Sequence, residues 1–289
     1  MGYRKFCYIL SLAILLVGIV SLVMHGGIKY NIDFTGGLLI QAELKNADIS
    51  QVRQSLANAG YTDAEIQQVK GTENFIIKTV SKDNASDKVK AALRKDFPEA
   101  AKGNFIIQEE EVGPKAGAEL RSQALIAVLI SVFFILLYIW FRFKFTWGIA
   151  AAISLFHDVI IVLGLLSVFN VEMSMNVLAA MLTIVGYSIN DTIVVFDRIR
   201  EDLKLYRKDD EFSLFNRAIN ETLSRTIITG ISTILADVAL MIWGGPVIHD
   251  FAFTLFIGLI IGTYSSVFIA SAVVLDAVLV YRKKNPKNN

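Results

Sequence analysis

Six runs of the sequence are each apolar over roughly the 20 residues that a helix needs to cross the ~30 Å hydrocarbon core of a bilayer. They cover 6–25 (FCYILSLAILLVGIVSLVMH), 122–141, 147–168, 176–197, 226–244 and 252–281. Few folds accept such a pattern. In hydrocarbon every backbone N–H and C=O must be satisfied within the segment, so each run is expected to be a transmembrane helix. With 54% hydrophobic and 19% charged residues, the chain is too apolar for an ordinary soluble protein of 289 residues. The expected class is a polytopic α-helical membrane protein with six transmembrane helices. The first run is too long for a signal peptide, and the following "HGGIKYN" offers no small-residue cleavage site, which predicts a retained anchor.

Lysine and arginine set the expected orientation. The short loops 169–175 (FNVEMSM) and 245–251 (GPVIHDF) contain neither residue, whereas Arg4 and Lys5, Arg142 and Lys144, the 198–225 segment and the "YRKKNPK" tail are basic. Both termini are therefore expected on the cytoplasmic side. The boundaries that follow are 1–25 for the N-terminus and first span and 26–120 for an extracytoplasmic domain. Residues 121–281 then hold spans two to six with a cytoplasmic loop at 198–225, and 282–289 form a basic tail.

Between the first two spans the periodicity changes. "DFTGGLLIQAEL" (33–44) reads as a strand, "ADISQVRQSLANAG" (47–60) as a helix, and "EIQQVKG" and "NFIIKTV" as two strands about a Gly-Thr-Glu turn. "NASDKVKAALRKDF" (84–97) reads as a second helix and "GNFIIQEEEV" (103–112) as a last strand. The order β-α-β-β-α-β is that of an α+β ferredoxin-like domain. "KAGAELRSQ" is expected to be a short helix leading into the second span. Segment 211–223, with Phe212, Phe215, Ile219 and Thr222 at helical spacing, reads as an amphipathic helix lying on the cytoplasmic surface. Trp140 and Trp147 read as interface anchors flanking the turn between spans two and three.

Four acids fall inside the spans: Asp158, Asp191, Asp237 and Asp276. A charge at mid-membrane costs about 2.5–3.5 kcal/mol on the mildest scales, so each is a functional candidate. Asp191 lies six residues before Asp197 at the cytoplasmic edge, about 9 Å deep at 1.5 Å per residue. Arg225 opens the fifth span, and antiparallel neighbours would place it level with Asp191. An acid whose charge alternates between a proton and an arginine partner is the simplest intramembrane relay. Asn190 and Thr192 cluster with Asp191, and this polar group has a second reading as interhelical hydrogen-bond glue. The His157–Asp158 pair reads either as a proton shuttle supporting an ion path or as a helix-orienting contact. Asp237 has no evident partner, and Asp276 reads as interfacial. In the sixth span Gly258, Gly262, Ser266 and Ala270 recur every four residues, a small-residue face for close helix packing within the chain or against a partner.

Cys7 is the only cysteine, and no GxxxxGK[ST], HExxH, GxSxG or Cys/His metal set occurs. No metal or other cofactor is expected, and neither is a nucleic-acid partner. An enzyme is not expected either: the chain carries no ATPase motif, so work would be driven by an ion gradient or by a partner.

Several stretches together resemble one family. "YNIDFTGGLLIQ" (30–41), with Asp33, Phe34, Thr35, Gly36 and Gly37, is similar to the DFTGG signature that follows the first span in the SecF branch of the SecD/SecF family. "VGPKAGAEL" (112–120), "HDVIIVLG" (157–164), "GYSINDTIVVFDRIRE" (186–201), "SRTIIT" (224–229) and "GGPVI" (244–248) resemble the later landmarks of that family, in its order. The resemblance covers nearly the whole chain. It implies a bacterial cytoplasmic (inner) membrane protein of the resistance-nodulation-division (RND) superfamily that pairs with SecD, associates with the SecYEG translocon, and uses the proton or sodium motive force to promote preprotein translocation. YajC/YidC-type factors, the translocating preprotein and membrane lipid are the further partners it implies. By motif, the family's ion-coupling residues fall on Asp191 and Arg225. The chain begins at its own Met without a SecD half, so a separate subunit is expected rather than the fused form. The rival functions are an RND-type small-molecule exporter, a structural subunit without ion coupling, and an intramembrane aspartyl protease, for which "GYSIND" lacks the GxGD pattern.

Overall fold

The computed structural model describes residues 1–69, 71–80, 84–99, 103–206 and 209–284. The chain divides into two compact units, residues 30–126 and residues 1–29 with the chain from Ala127 onward.

In the smaller unit, strands β1 (Gly37–Glu43), β2 (Glu65–Gln68), β3 (Asn74–Thr79) and β4 (Ile106–Val112) form one small sheet in the order β2-β3-β1-β4. All three neighbouring pairs are antiparallel, with Ile40 opposite both Ile77 and Glu109. Alternation along β1 and β3 turns Leu38, Ile40, Ala42, Phe75 and Ile77 to one face. Helices α3 (Ile49–Asn58) and α4 (Ala85–Asp96) complete that core with Val52, Leu56, Val89 and Leu93. α3 starts with a capping box at Asp48: its carboxylate also accepts from the Ile49 amide at 2.8 Å, and its amide donates to Gln51 Oε1 at 3.2 Å.

The stretch read as a strand from Asp33 begins instead with a helical turn, α2 (Ile32–Thr35). Asn31 Oδ1 accepts from the Ile32 amide at 2.7 Å and starts the turn, and Gly36, at φ 74°, ends it. A Cβ on Gly36 would lie 2.7 Å from Pro114 Cα, and one on Gly117 would lie 2.8 Å from Gly36 N. The DFTGG and GPKAG motifs, some eighty residues apart, thus meet backbone to backbone, and neither glycine leaves room for a side chain.

Among the described residues, six helices are long and apolar enough to cross a membrane. These are α1 (Arg4–Met24), α5 (Pro114–Arg142), α6 (Phe145–Val168), α7 (Met175–Leu205), α8 (Glu211–Trp243) and a sixth stretch, Ile248–Lys283. The last is made of α9 (Gly245–Ser265), a π-helical turn over Ser266–Ala270 and α10 (Ser271–Lys284). The sixth span has 72% of its most apolar window buried within the chain and α5 only 11%, so the former is central and the latter presents its side chains outward. Two glycines let α1 and α6 touch: a Cβ on Gly18 would sit 2.8 Å from Gly164 Cα.

Three expectations change. Segment 211–223 is not a separate surface helix but the first third of α8, capped by Asp210, whose carboxylate accepts from the Ser213 amide at 3.1 Å. No proline or glycine interrupts the chain before Gly230, so the helix runs on. Phe215 and Leu214 are fully buried in a cluster with Phe196, Ile199 and Val274, which an apolar stripe alone does not distinguish from a lipid-facing one. The 198–225 loop is likewise mostly helix, with α7 running to Leu205 and α8 starting at Glu211. Buried Asp202 ties the two ends together, 3.4 Å from Arg198 Nη2 and 3.3 Å from Arg217 Nε. "KAGAELRSQ" is the beginning of α5 itself. Trp140 is exposed, whereas Trp147 packs edge-on against Phe196 with ring centroids 5.4 Å apart. Of the expected tail 282–289, residues 285–289 lie outside the described residues.

Candidate functional site

The polar residues of α7 divide by face. Ser188, Asp191, Thr192 and Val195 point inward, while Asn190 is exposed, so Asn190 does not join its neighbours in the interior. Asp191 is 4% exposed, and its Oδ2 has no hydrogen-bond partner. Arg225, exposed on α8, lies near enough to attract Asp191 through space. Among the described residues no hydrogen bond or ion pair joins them. The expected neighbours therefore lie within electrostatic range of each other without pairing.

Asp158 is the opposite case. It is fully buried on α6 and accepts from Ser188 Oγ of α7 at 2.6 Å and from Ser265 Oγ of α9 at 2.7 Å, with His157 Nδ1 at 2.9 Å. His157 stacks on Tyr264, whose hydroxyl donates to the Cys7 carbonyl at 2.8 Å and lies 3.2 Å from Ser11 Oγ. One carboxylate thereby links α6, α7 and α9, and the ring stacked beside it extends the contact to α1.

The small-residue face of the sixth span explains how α9 comes so near. A Cβ on Gly258 would fall 2.0 Å from Ile184 Cδ1, and one on Gly262 would fall 3.1 Å from Ser188 Cβ. Ser266 and Ala270 are fully buried and fall in the π-helical turn, where Ala270 shares a buried cluster with Val195 and Phe196 of α7. Ser271 Oγ closes that turn on the Ser266 carbonyl at 2.9 Å.

Asp237 is 3% exposed on α8, and neither of its oxygens has a hydrogen-bond partner among the described residues. Asp276 clamps α10 to α1, with Arg4 Nε at 3.0 Å and the Tyr8 hydroxyl at 3.1 Å. Asp197 pairs with Arg142, and Arg198 bridges to Glu221 and to Glu201, the last at 2.7 Å. These are contacts of helix ends. Among the described residues no group of three His, Cys, Asp or Glu side chains is arranged to hold a metal ion.

Sequence reasoning missed Ser188, Ser265, Tyr264 and the Gly18–Gly164 crossing. A signal existed for Ser188, which stands three residues before Asp191 and so on the same helical face. None existed for Ser265 beyond being a hydroxyl in an apolar run.

The chain was compared with known proteins. The family model "Protein export membrane protein SecD/SecF, C-terminal" matches residues 89–279. The chain belongs to this family. The SecF protein translocase subunit of Gemmatimonas aurantiaca is 41% identical over 278 residues, covering 92% of this chain and 83% of that protein. The SecF of Pseudomonas aeruginosa is 40% identical over 277 residues, covering 95% and 90%. The SecDF translocase subunit of Thermus thermophilus is 41% identical over 277 residues, covering 93% of this chain but 37% of its own length. The crystal structure of SecDF from Thermus thermophilus, described as a translocon-associated membrane protein, aligns with a TM-score of 0.85 at 38% identity, over 96% of this chain. This chain spans 38% of that solved one. Family membership and six span-length helices make it a multi-pass membrane protein of protein translocation, whose relatives are named translocase subunits rather than enzymes. The fused SecDF relatives point to SecD as a partner.

Proposed function

We propose that this chain is a SecF-type subunit that works with a SecD partner and the SecYEG translocon, using the proton or sodium motive force to promote preprotein translocation across the bacterial inner membrane. Both termini face the cytoplasm, and unit 30–126 is a ferredoxin-like domain on the opposite side that acts on the emerging preprotein. The lysine and arginine asymmetry of the short loops supports that orientation. YajC/YidC-type factors are further candidates for the same assembly.

One observation carries the coupling: Asp191 is buried in a span with an unpartnered oxygen, next to an arginine that it attracts without pairing. Entry of a cation neutralises the carboxylate and releases Arg225, and its departure restores the attraction. α7 and α8 repack between the two states, and the movement passes through the spans to unit 30–126. Each elementary charge crossing 100 mV supplies about 2.3 kcal/mol, enough for several ions to do mechanical work. Thr192, buried beside Asp191, flanks this path, whereas Asn190 faces away from it; Asp158 and His157 fix the helices beside it, and Gly258, Gly262, Ser266 and Ala270 serve its packing. The Asp33–Gly37 motif fixes the base of the moving domain.

The test is Asp191→Asn in a gradient-driven translocation assay with the assembled complex. Gradient stimulation is expected to disappear while the complex still assembles. Normal stimulated translocation in this variant would refute the coupling role.

A further inference from the structure

The ion path proposed for Asp191 needs somewhere to lead, and the seam where α7, α8 and α9 pack together offers a direction. Among the described residues, six side chains on these helices carry buried oxygens with no hydrogen-bond partner. Asp202, at the end of α7, faces Arg198 at 3.4 Å, and the other five are Asp191 and Tyr187 of α7, Thr226 and Asp237 of α8, and Thr263 of α9. Buried polar atoms are nearly always paired, and a run of orphans along one seam calls for a polar occupant. Their placement is ordered. A Cβ built on buried Gly230 would lie 3.6 Å from the Tyr187 hydroxyl and 3.7 Å from Thr263 Oγ1, so both hydroxyls converge on α8 at the one position without a side chain.

Consecutive helices α7 and α8 run antiparallel, so one turn onward in α7 is one turn back in α8. Asp191, four residues after Tyr187, therefore stands at the level of Thr226, four before Gly230. In the other direction Asp237 follows Gly230 by seven residues, about 10 Å along the axis. Thr226, Gly230 and Asp237 fall within about 40° of one another around α8, on one face.

We infer that Asp237 is a second cation-binding carboxylate, joined to Asp191 by a track of hydroxyls, Thr226, Tyr187 and Thr263, that opens at Gly230. It rests on the coupling role of Asp191 and extends it: the cation leaving the Arg225 end of the seam is received by a carboxylate more than two turns away. Asp237 is suited to this because, among the described residues, none bonds to its oxygens. Asp158, by contrast, already accepts from two serines and touches a histidine. The titratable side chains of α9 are His249, Asp250 and Tyr264, and the Tyr264 hydroxyl is committed to the Cys7 carbonyl; those of α7 and α8 other than Tyr187, Asp191 and Asp237 lie from Asp197 to Arg225, at the Arg225 end of the seam. The cation is a proton or sodium, either of which a carboxylate flanked by hydroxyls accepts.

The experiment measures cation flux in vesicles holding the complete complex, with Asp191→Asn, Asp237→Asn and Gly230→Ala beside the natural chain. Asp237→Asn is expected to carry less than a tenth of the natural flux at normal assembly. Gly230→Ala, whose methyl meets both hydroxyls at ordinary contact distance, is expected to fold and to slow the flux severalfold. Natural flux in Asp237→Asn, with flux lost in Asp191→Asn, overturns the second site alone. Natural flux in Asp191→Asn removes the reading on which it rests. Should Asp237→Asn fail to assemble, carbodiimide labelling of the natural complex decides. Labelling of Asp237 that alkaline pH suppresses identifies a proton site, and labelling that sodium suppresses identifies a sodium site. No labelling of Asp237 under any condition, or labelling indifferent to both, overturns the proposal.

Discussion

Two polar regions meet α7 at neighbouring positions, Ser188 and Asp191, and they meet the cost of burying a carboxylate in opposite ways. Both oxygens of Asp158 are engaged, by groups from three helices, and the helices are thereby fixed to one another. Along the α7–α8–α9 seam, Asp191 and Asp237 keep oxygens free although both are almost wholly buried. A saturated network specifies packing, whereas an unsaturated one spends stability to keep a binding capacity. The contrast within one helix bundle separates acids that hold the structure from acids that can change charge.

The largest effect is expected where both regions depend on the same contact. Gly258→Leu forces side-chain atoms into Ile184, which a Cβ alone would already meet at 2.0 Å. α9 then cannot lie on α7, so Ser265 loses Asp158 and Thr263 loses its place on the seam. A cost of roughly 3 kcal/mol or more follows from overpacking, and recovery of folded protein from membranes is expected to collapse. Wild-type recovery would mean that the close approach is not what holds the two regions together.

Next in size is Asp158→Ala. It removes the bonds of Ser188, Ser265 and His157 to the carboxylate, and at about 0.6–1 kcal/mol for each of the three it costs ~2–3 kcal/mol. Thermal unfolding in detergent should record a clear loss. Asp191→Asn and Asp237→Asn remove a desolvated charge and break no bond, so their stability is expected to stay within about 1 kcal/mol of the natural chain. If all three variants lost stability alike, the distinction between saturated and unsaturated acids would fail.

How much of this was legible follows from the same contrast. Asp191 stood out in the sequence because a charge in an apolar run is visible without knowing its neighbours, and so did Asp158 and Asp237. Whether each was partnered was not visible, because the partners come from other helices: Ser188 and Ser265 belong to Asp158 only through the crossing that Gly258 and Gly262 permit. The spans were legible from hydropathy, but their ends were not. α8 continues back to Glu211 because nothing breaks it, and its Phe215 face packs against Phe196 rather than lipid. The small sheet was legible from alternation, whereas the α2 turn required Asn31 as a cap and Gly36 at positive φ, a local decision that overrides the strand-like run after it.

The smallest effect tests the comparison outside the spans, where water is available to every carboxylate. The Asp48 carboxylate accepts from the Ser50 hydroxyl at 2.5 Å and from the Ile49 amide at 2.8 Å, and these bonds hold it below the usual carboxylate range. A group depressed in the folded state stabilises above its unfolded value, near pH 4, and that contribution is lost as pH falls through the lower folded value. Exchange of the first-turn amides of α3, corrected for intrinsic rates, should therefore accelerate as the full chain is taken from about pH 5 to about pH 3, relative to the first turn of α4, whose N-cap residue Asn84 makes no side-chain cap bond. Asp48→Asn keeps an acceptor oxygen but has no charge to lose, and it should flatten that dependence. An unchanged pH response in Asp48→Asn would show that the cap bonds, unlike those of Asp158, contribute nothing that depends on the charge.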